Sequence, residues 1–122
     1  MAPGSSHRPS VLRQFAHAWN GLVAAWRVER SFRIEAAVAI LTVAAGLAVG
    51  LSRVEWLFVL GAIGGVLALE LLNTMIEKTL DHLHPAEHDA VRFIKDVAAA
   101  AVLIAGVTAL IIGLAVFVPH VG

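Results

Sequence analysis

The stretch VAAAAVLIAGVTALIIGLAVFV, Val97–Val118, contains no charged residue. A helix over it is about 33 Å long, enough to cross the ~30 Å hydrocarbon core of a bilayer. A helix on a soluble domain keeps a polar face toward water, and this segment has none. Two further apolar segments precede it. Ala36–Ser52 is at the short end of what crosses a bilayer, and Trp56–Ile76 is broken only by Glu70 and Asn73. With 122 residues, 59% hydrophobic and 15% charged, the chain holds too little other sequence to bury three such helices. The alternative, a soluble helical bundle with an apolar core, fails on the uncharged length of the third segment. The expected fold is an all-α integral membrane protein with three transmembrane helices.

The formal net charge is zero, so no basic field points to nucleic acid. There is no cysteine, which excludes disulfides and thiolate metal sites. The first apolar run begins only after Glu35, behind a polar and amphipathic stretch, so no signal peptide is expected.

Pro3, Gly4, Ser5, Ser6 and Pro9 predict a disordered tail over residues 1–9, and the rest reads as a single membrane domain over 10–119. Ser10 is a candidate N-cap. After it, Val11, Phe15, Ala18, Trp19, Leu22, Ala25 and Trp26 recur at helical spacing, opposite Arg13, His17, Asn20 and Arg27. Two tryptophans on one apolar stripe suit a membrane interface, so an amphipathic surface helix is expected over about 10–30. The spans follow at about 34–52, 55–80 and 92–118. Arg8, Arg13, Arg27, Arg30 and Arg33 precede the first span, Arg53 alone lies between the first two, and Lys78, Arg92 and Lys95 lie between the last two. The positive-inside rule therefore places the N-terminus and a 77–96 loop in the cytoplasm, in a multi-pass protein of the inner (plasma) membrane. Gly46 and Gly50, Gly61 and Gly65, and Ala101, Ala105, Ala109 and Gly113 repeat at a spacing of four, which lets helices approach closely in lipid. Three helices enclose a polar site poorly, so an oligomer is expected.

That polar site is the notable feature of the second span. Glu70, Asn73 and Glu77 are offset by three and seven positions and so share one helix face. A carboxylate at the bilayer centre costs about 2.5–3.5 kcal/mol on insertion scales, which argues that such a group is kept for use. The assigned topology puts the three near the cytoplasmic end of their helix, where a water-soluble reagent reaches them. Glu70 can accept a proton from a lipid hydroxyl, Asn73 can orient it, Glu77 with another carboxylate can hold Mg²⁺, and Lys95 can offset phosphate charge. These pieces permit phosphoryl transfer. They equally permit the rival class, a non-enzymatic ion-coupled transporter, because ion pathways use intramembrane carboxylates too. No Walker A or kinase-type Gly-rich loop is present. His82, His84 and His88 read as a solvated connection with one His near a nucleotide, the alternative being a transition-metal site. Asp81 reads evenly as part of the Glu70–Glu77 face or as a solvated helix end. Glu35 reads as a residue at the headgroup level.

At these residues the chain resembles a known family. ELLNTMIE (Glu70–Glu77), Asp81, His88 and KDVAAAAVL (Lys95–Leu103) are similar to the small prokaryotic lipid kinases, the diacylglycerol and undecaprenol kinase family. The likeness extends to AWNGL (Ala18–Leu22), Trp26, Glu29, Phe32 and Arg33, and spans about residues 13–119. It implies a homotrimer that phosphorylates a membrane lipid alcohol from ATP and Mg²⁺, in sites shared between subunits. By resemblance, Glu70 is the catalytic base and Asn73 supports it. Glu29 and Glu77 bind metal. His17, Glu29, Glu77, Glu87, His88, Lys95 and Asp96 bind ATP, and Trp26, Phe32, Arg33 and Glu70 meet the lipid. The C-terminal stretch Ala109–Pro119, Asn73-Thr74 and Lys95–Ala98 look like the undecaprenol branch. Glu35 is as in the diacylglycerol branch, and Ser31 replaces a usual Asn. The reading is undecaprenol, with diacylglycerol as the alternative.

Overall fold

A computed structural model of the protein describes residues 10–86 and 88–122. The tail expected over 1–9, and Glu87, lie outside the described residues. Four helices follow in order: α1 (Val11–Val28), α2 (Arg30–Val49), α3 (Arg53–Leu83) and α4 (Asp89–Val121). No strand occurs among the described residues. The last three are each long and apolar enough to cross a membrane, and α1 is the short amphipathic helix before them.

Local chemistry sets the helix ends. Ser10 caps α1, its hydroxyl accepting the Arg13 N–H at 3.2 Å. Gly50 ends α2 in the left-handed region, with φ 75°, where a Cβ would clash with the backbone. The N–H groups of Gly50 and Leu51 both donate to the Gly46 carbonyl. Ser52 then opens α3 with a reciprocal capping box. Glu55 N–H donates to its hydroxyl at 3.2 Å, and the Ser52 N–H donates to the Glu55 carboxylate at 2.9 Å. The turn between the first two spans is thus only Gly50, Leu51 and Ser52.

Gly46 is buried because the ring of Trp56 folds back onto it. A Cβ built there would stand 2.7 Å from Trp56 Cη2 and 2.9 Å from Leu51 Cδ1. The glycines at 46 and 50 therefore serve this turn, one by close approach and one by its φ. In lipid no water is expelled between helices, so fit of this kind carries the packing energy. Gly46→Ala is expected to destabilise the protein by about 1–3 kcal/mol, the usual cost of overpacking. A lowered melting temperature in detergent, with the helix content of the wild type, is the result that checks it.

α3 packs chiefly on α4, α2 packs on α3, and α1 touches α2. Leu51, Val59 and Val116 form a small core near the Ser52 end, with Trp56, Ile63, Ile112 and Phe117 against it. His120 and Glu55 join α4 to α3 at the same end, 2.9 Å apart. Only 11%, 17% and 6% of the most apolar windows of α2, α3 and α4 are buried within the chain. Most of the apolar surface therefore faces outward, as expected of helices that meet lipid or other subunits.

Helix length places the polar residues. α3 has 31 residues, which makes it about 46 Å long against a hydrocarbon core of ~30 Å. Counting ~20 residues from Arg53 reaches Asn73. With Arg53 at one edge of the core, Glu70 falls about one turn inside the other edge, and Glu77, Lys78 and Asp81 fall beyond it.

The helices run past the expected spans in two places. The segment expected as a 77–96 loop is mostly helix: α3 runs to Leu83 and α4 starts at Asp89, leaving residues 84–88 as the connection. The first helix breaker after Glu77 is Pro85, and charged side chains do not stop a helix that has left the bilayer. α4 also continues through Pro119 to Val121, past the expected end of the third span.

Candidate active site

Glu70 is the one buried charged residue among those described, with 6% of its surface exposed. Asn73 and Glu77 follow on its face of α3. The Asn73 side-chain amide donates to the Glu77 carboxylate at 3.2 Å. The other end of that amide, Oδ1, is buried with no hydrogen-bond partner. An orphaned buried acceptor costs about 1–3 kcal/mol, so this atom is set to receive a donor from something that binds.

Other elements bring further carboxylates. Glu35, Glu77 and Glu29 stand close enough for their charges to act on Glu70. Glu29 is the single extended residue between α1 and α2, at φ −103° and ψ 111°. Its N–H caps α1 on the Ala25 carbonyl, and its own carbonyl accepts from Arg33 N–H. The Arg33 guanidinium reaches back to the exposed end of α1, donating from Nη1 to the carbonyls of Trp26 at 2.8 Å and Arg27 at 3.2 Å. A cation at a helix C-terminus also meets the negative end of its dipole. The corner so held presents Glu29 to Lys78 on α3, at 3.5 Å. Lys78 is the residue after Glu77, so this ion pair ties the corner to the turn of α3 that carries Glu77. From α4, Lys95 reaches Asp81 on α3 at 2.6 Å.

Of the expected site residues, the fold thus gathers Glu29, Glu70, Asn73 and Glu77, with Lys95 held at the last turns of α3. Phe32 is buried at the corner, Arg33 caps it, and Trp26 is exposed on the last turn of α1. Asp96 is exposed beside Lys95. His88 is the N-cap residue of α4, its ring edge-on to His84 at 5.7 Å. His17 is exposed on α1 about three turns before the corner, and among the described residues no hydrogen bond or ion pair links it to the carboxylates. Reading the sequence missed three groups: Lys78 as the partner of Glu29, Asp81 as the partner of Lys95, and Glu35. Lys78 and Asp81 carry a signal, as charged residues one and four positions beyond Glu77. Glu35 also lines an apolar groove between α2, α3 and α4, with Val38, Thr42, Val66 and Phe117 among its walls.

No group of three His, Cys, Asp or Glu among the described residues is arranged to hold a metal by itself. His82, His84 and His88 do not form such a group with other described residues. Mg²⁺ asks for less: one or two carboxylates, with phosphate oxygens and water completing the shell. Glu29 and Glu77 are hard oxygen donors of that kind, and they fit it.

An undecaprenol kinase of Bacillus subtilis (strain 168) is 41% identical over 107 residues, covering 88% of this chain and 87% of that protein. A diacylglycerol kinase of Synechocystis is 35% identical over 114 residues, covering 91% of this chain and 64% of that protein. The diacylglycerol kinase of Escherichia coli (strain K12) is 29% identical over 111 residues, covering 91% of both. Residues 16–117 match the family described as prokaryotic diacylglycerol kinase, and the chain belongs to that family.

Proposed function

We propose that the protein transfers the γ-phosphoryl group of ATP to the hydroxyl of a membrane lipid alcohol, with undecaprenol as the substrate. The observation that carries this reading is Glu70, a buried carboxylate at lipid depth. It lies about two helical turns along α3 from Glu77, whose surroundings hold the lysines and carboxylates that stand in water. A lipid hydroxyl entering from the bilayer side meets Glu70, and a nucleotide entering from the water side meets Glu29, Glu77 and Lys95. Glu70 accepts the hydroxyl proton, the oxygen bonds to the γ-phosphorus, and the bond from that phosphorus to the bridging oxygen of ADP breaks. Glu29 and Glu77 hold Mg²⁺, which when bound neutralises phosphate charge. Lys95 donates to phosphate oxygens. Asn73 holds Glu77 and offers its unpartnered oxygen to a bound donor. His17, Glu87, His88 and Asp96 complete the nucleotide side, and Trp26, Phe32 and Arg33 form the corner against which the lipid headgroup sits.

The 41% identity to an undecaprenol kinase supports undecaprenol. The diacylglycerol kinases at 35% and 29% support diacylglycerol as the second reading. We place the protein in the inner (plasma) membrane, with the N-terminus and the α3–α4 connection cytoplasmic, because the lysines and most arginines cluster there. We further propose a homotrimer. Gly61 and Gly65 have no neighbouring atom within 4 Å of a built Cβ, so nothing among the described residues needs their small size. With Ala105 and Ala109 they line a shallow groove that suits a helix of a second copy.

Labelled ATP offered to purified protein in mixed micelles, with undecaprenol and diacylglycerol side by side, tests enzyme and substrate together. Label in undecaprenyl phosphate supports the proposal, label in phosphatidic acid selects the second reading, and label in neither refutes lipid kinase activity. Lys95→Met is expected to raise the ATP concentration for half-maximal rate and lower turnover, together by about 10²-fold in kcat/KM. An unchanged ATP dependence and rate would sink the phosphate-binding role.

A further inference from the structure

The chain has two lysines, Lys78 and Lys95, and each is paired with a carboxylate from another part of the fold: Lys78 with Glu29 at 3.5 Å, Lys95 with Asp81 at 2.6 Å. The second pair joins α3 to α4 across their connection, four residues beyond Glu77. Lysine carries its charge on a flexible, strongly hydrated stem, and an unrestrained ammonium samples many positions. A short charge-assisted hydrogen bond selects one of them. The Asp81 side chain is 57% exposed and that of Lys95 33%, so water screens the pair and its contribution to stability is small. What it supplies is direction.

We infer that Asp81 is a positioning residue for phosphoryl transfer, aiming the Lys95 ammonium at the phosphates. This rests on the reading of the chain as an ATP-dependent lipid kinase. An ammonium has three donors, so Lys95 can keep Asp81 on one and give another to a phosphate oxygen. Asp81 sits one turn beyond Glu77, and the ammonium it holds lies on the water side of the carboxylate face. Asp81 lies roughly 16 Å along α3 from Glu70, so an ammonium held there meets the phosphates that trail a γ-phosphate at Glu70. The rival account makes Asp81 a competing anion that ATP must displace from Lys95. The two accounts predict opposite kinetics.

The experiment uses the full chain in mixed micelles containing lipid alcohol. It compares the wild type with Asp81→Asn, Asp81→Glu, Lys95→Met and the Asp81→Asn/Lys95→Met double variant. Asp81→Asn is expected to lower kcat by about tenfold with a smaller change in KM for ATP, because misaimed groups cost rate. Its melting temperature should match the wild type, and Asp81→Glu should recover most of the rate. In the Lys95→Met background Asp81→Asn should cost nothing more, since the two act as one unit. The inference is overturned by an unchanged kcat, by a lower KM with kcat kept, by equal losses in both backgrounds, or by a fall in melting temperature that accounts for the lost rate. A wild type that phosphorylates neither lipid overturns the parent reading, and this one with it.

Discussion

Glu70→Gln is expected to lower turnover by about 10²–10⁴-fold, the range a positioned general base supplies, while leaving the protein at least as resistant to unfolding as the wild type. The amide keeps the shape of the side chain and removes its capacity to accept the hydroxyl proton. It also removes a negative charge from a buried site. Burial opposes a carboxylate without a partner, so deleting the charge relieves the fold. Loss of rate with stability kept or raised marks a group retained for chemistry. Initial rates in mixed micelles and thermal unfolding in detergent measure the two halves. Near-wild-type turnover would remove Glu70 as the base, and a parallel loss of stability and rate would make it structural.

For Glu77→Gln the expected change lies in the metal dependence. Glutamine keeps an oxygen that accepts from the Asn73 amide, so the 3.2 Å contact survives. What it loses is the anionic oxygen offered to Mg²⁺. Even partners that only orient a metal ligand cost about 10–100-fold in affinity or activity when lost, and a direct ligand should cost at least that. The Mg²⁺ concentration for half-maximal rate should rise by about tenfold or more. The lipid KM should stay unchanged, because Glu77 stands on the water side of Glu70. A Mg²⁺ titration at saturating ATP and lipid decides it. An unshifted titration curve would place the metal elsewhere.

Much of the site is visible along the chain because it lies on one helix. Offsets of three, four and seven residues set one face of any α-helix, so Glu70, Asn73 and Glu77 come together whatever else the fold does. The caps at Ser10 and Ser52 are equally local. The break at Glu29 is not, since neither glycine nor proline marks it. It persists because Arg33, four residues later, bonds the carbonyls that the end of α1 leaves open. Glu35 was read as a headgroup-level residue because nothing near it in sequence relates it to Glu70. Its charge acts there only because α2 packs on α3.

By itself, the sequence determined the membrane class, the three spans and the polar face of α3. Each follows from uncharged length or helical period, which are properties of short segments. Tertiary structure decided which charges meet: Glu29 with Lys78, Lys95 with Asp81, Arg33 with the end of α1. Those contacts depend on where a helix breaks, how short its turns are and which sides of two helices touch. Such quantities are set by packing between segments, so no single segment contains them.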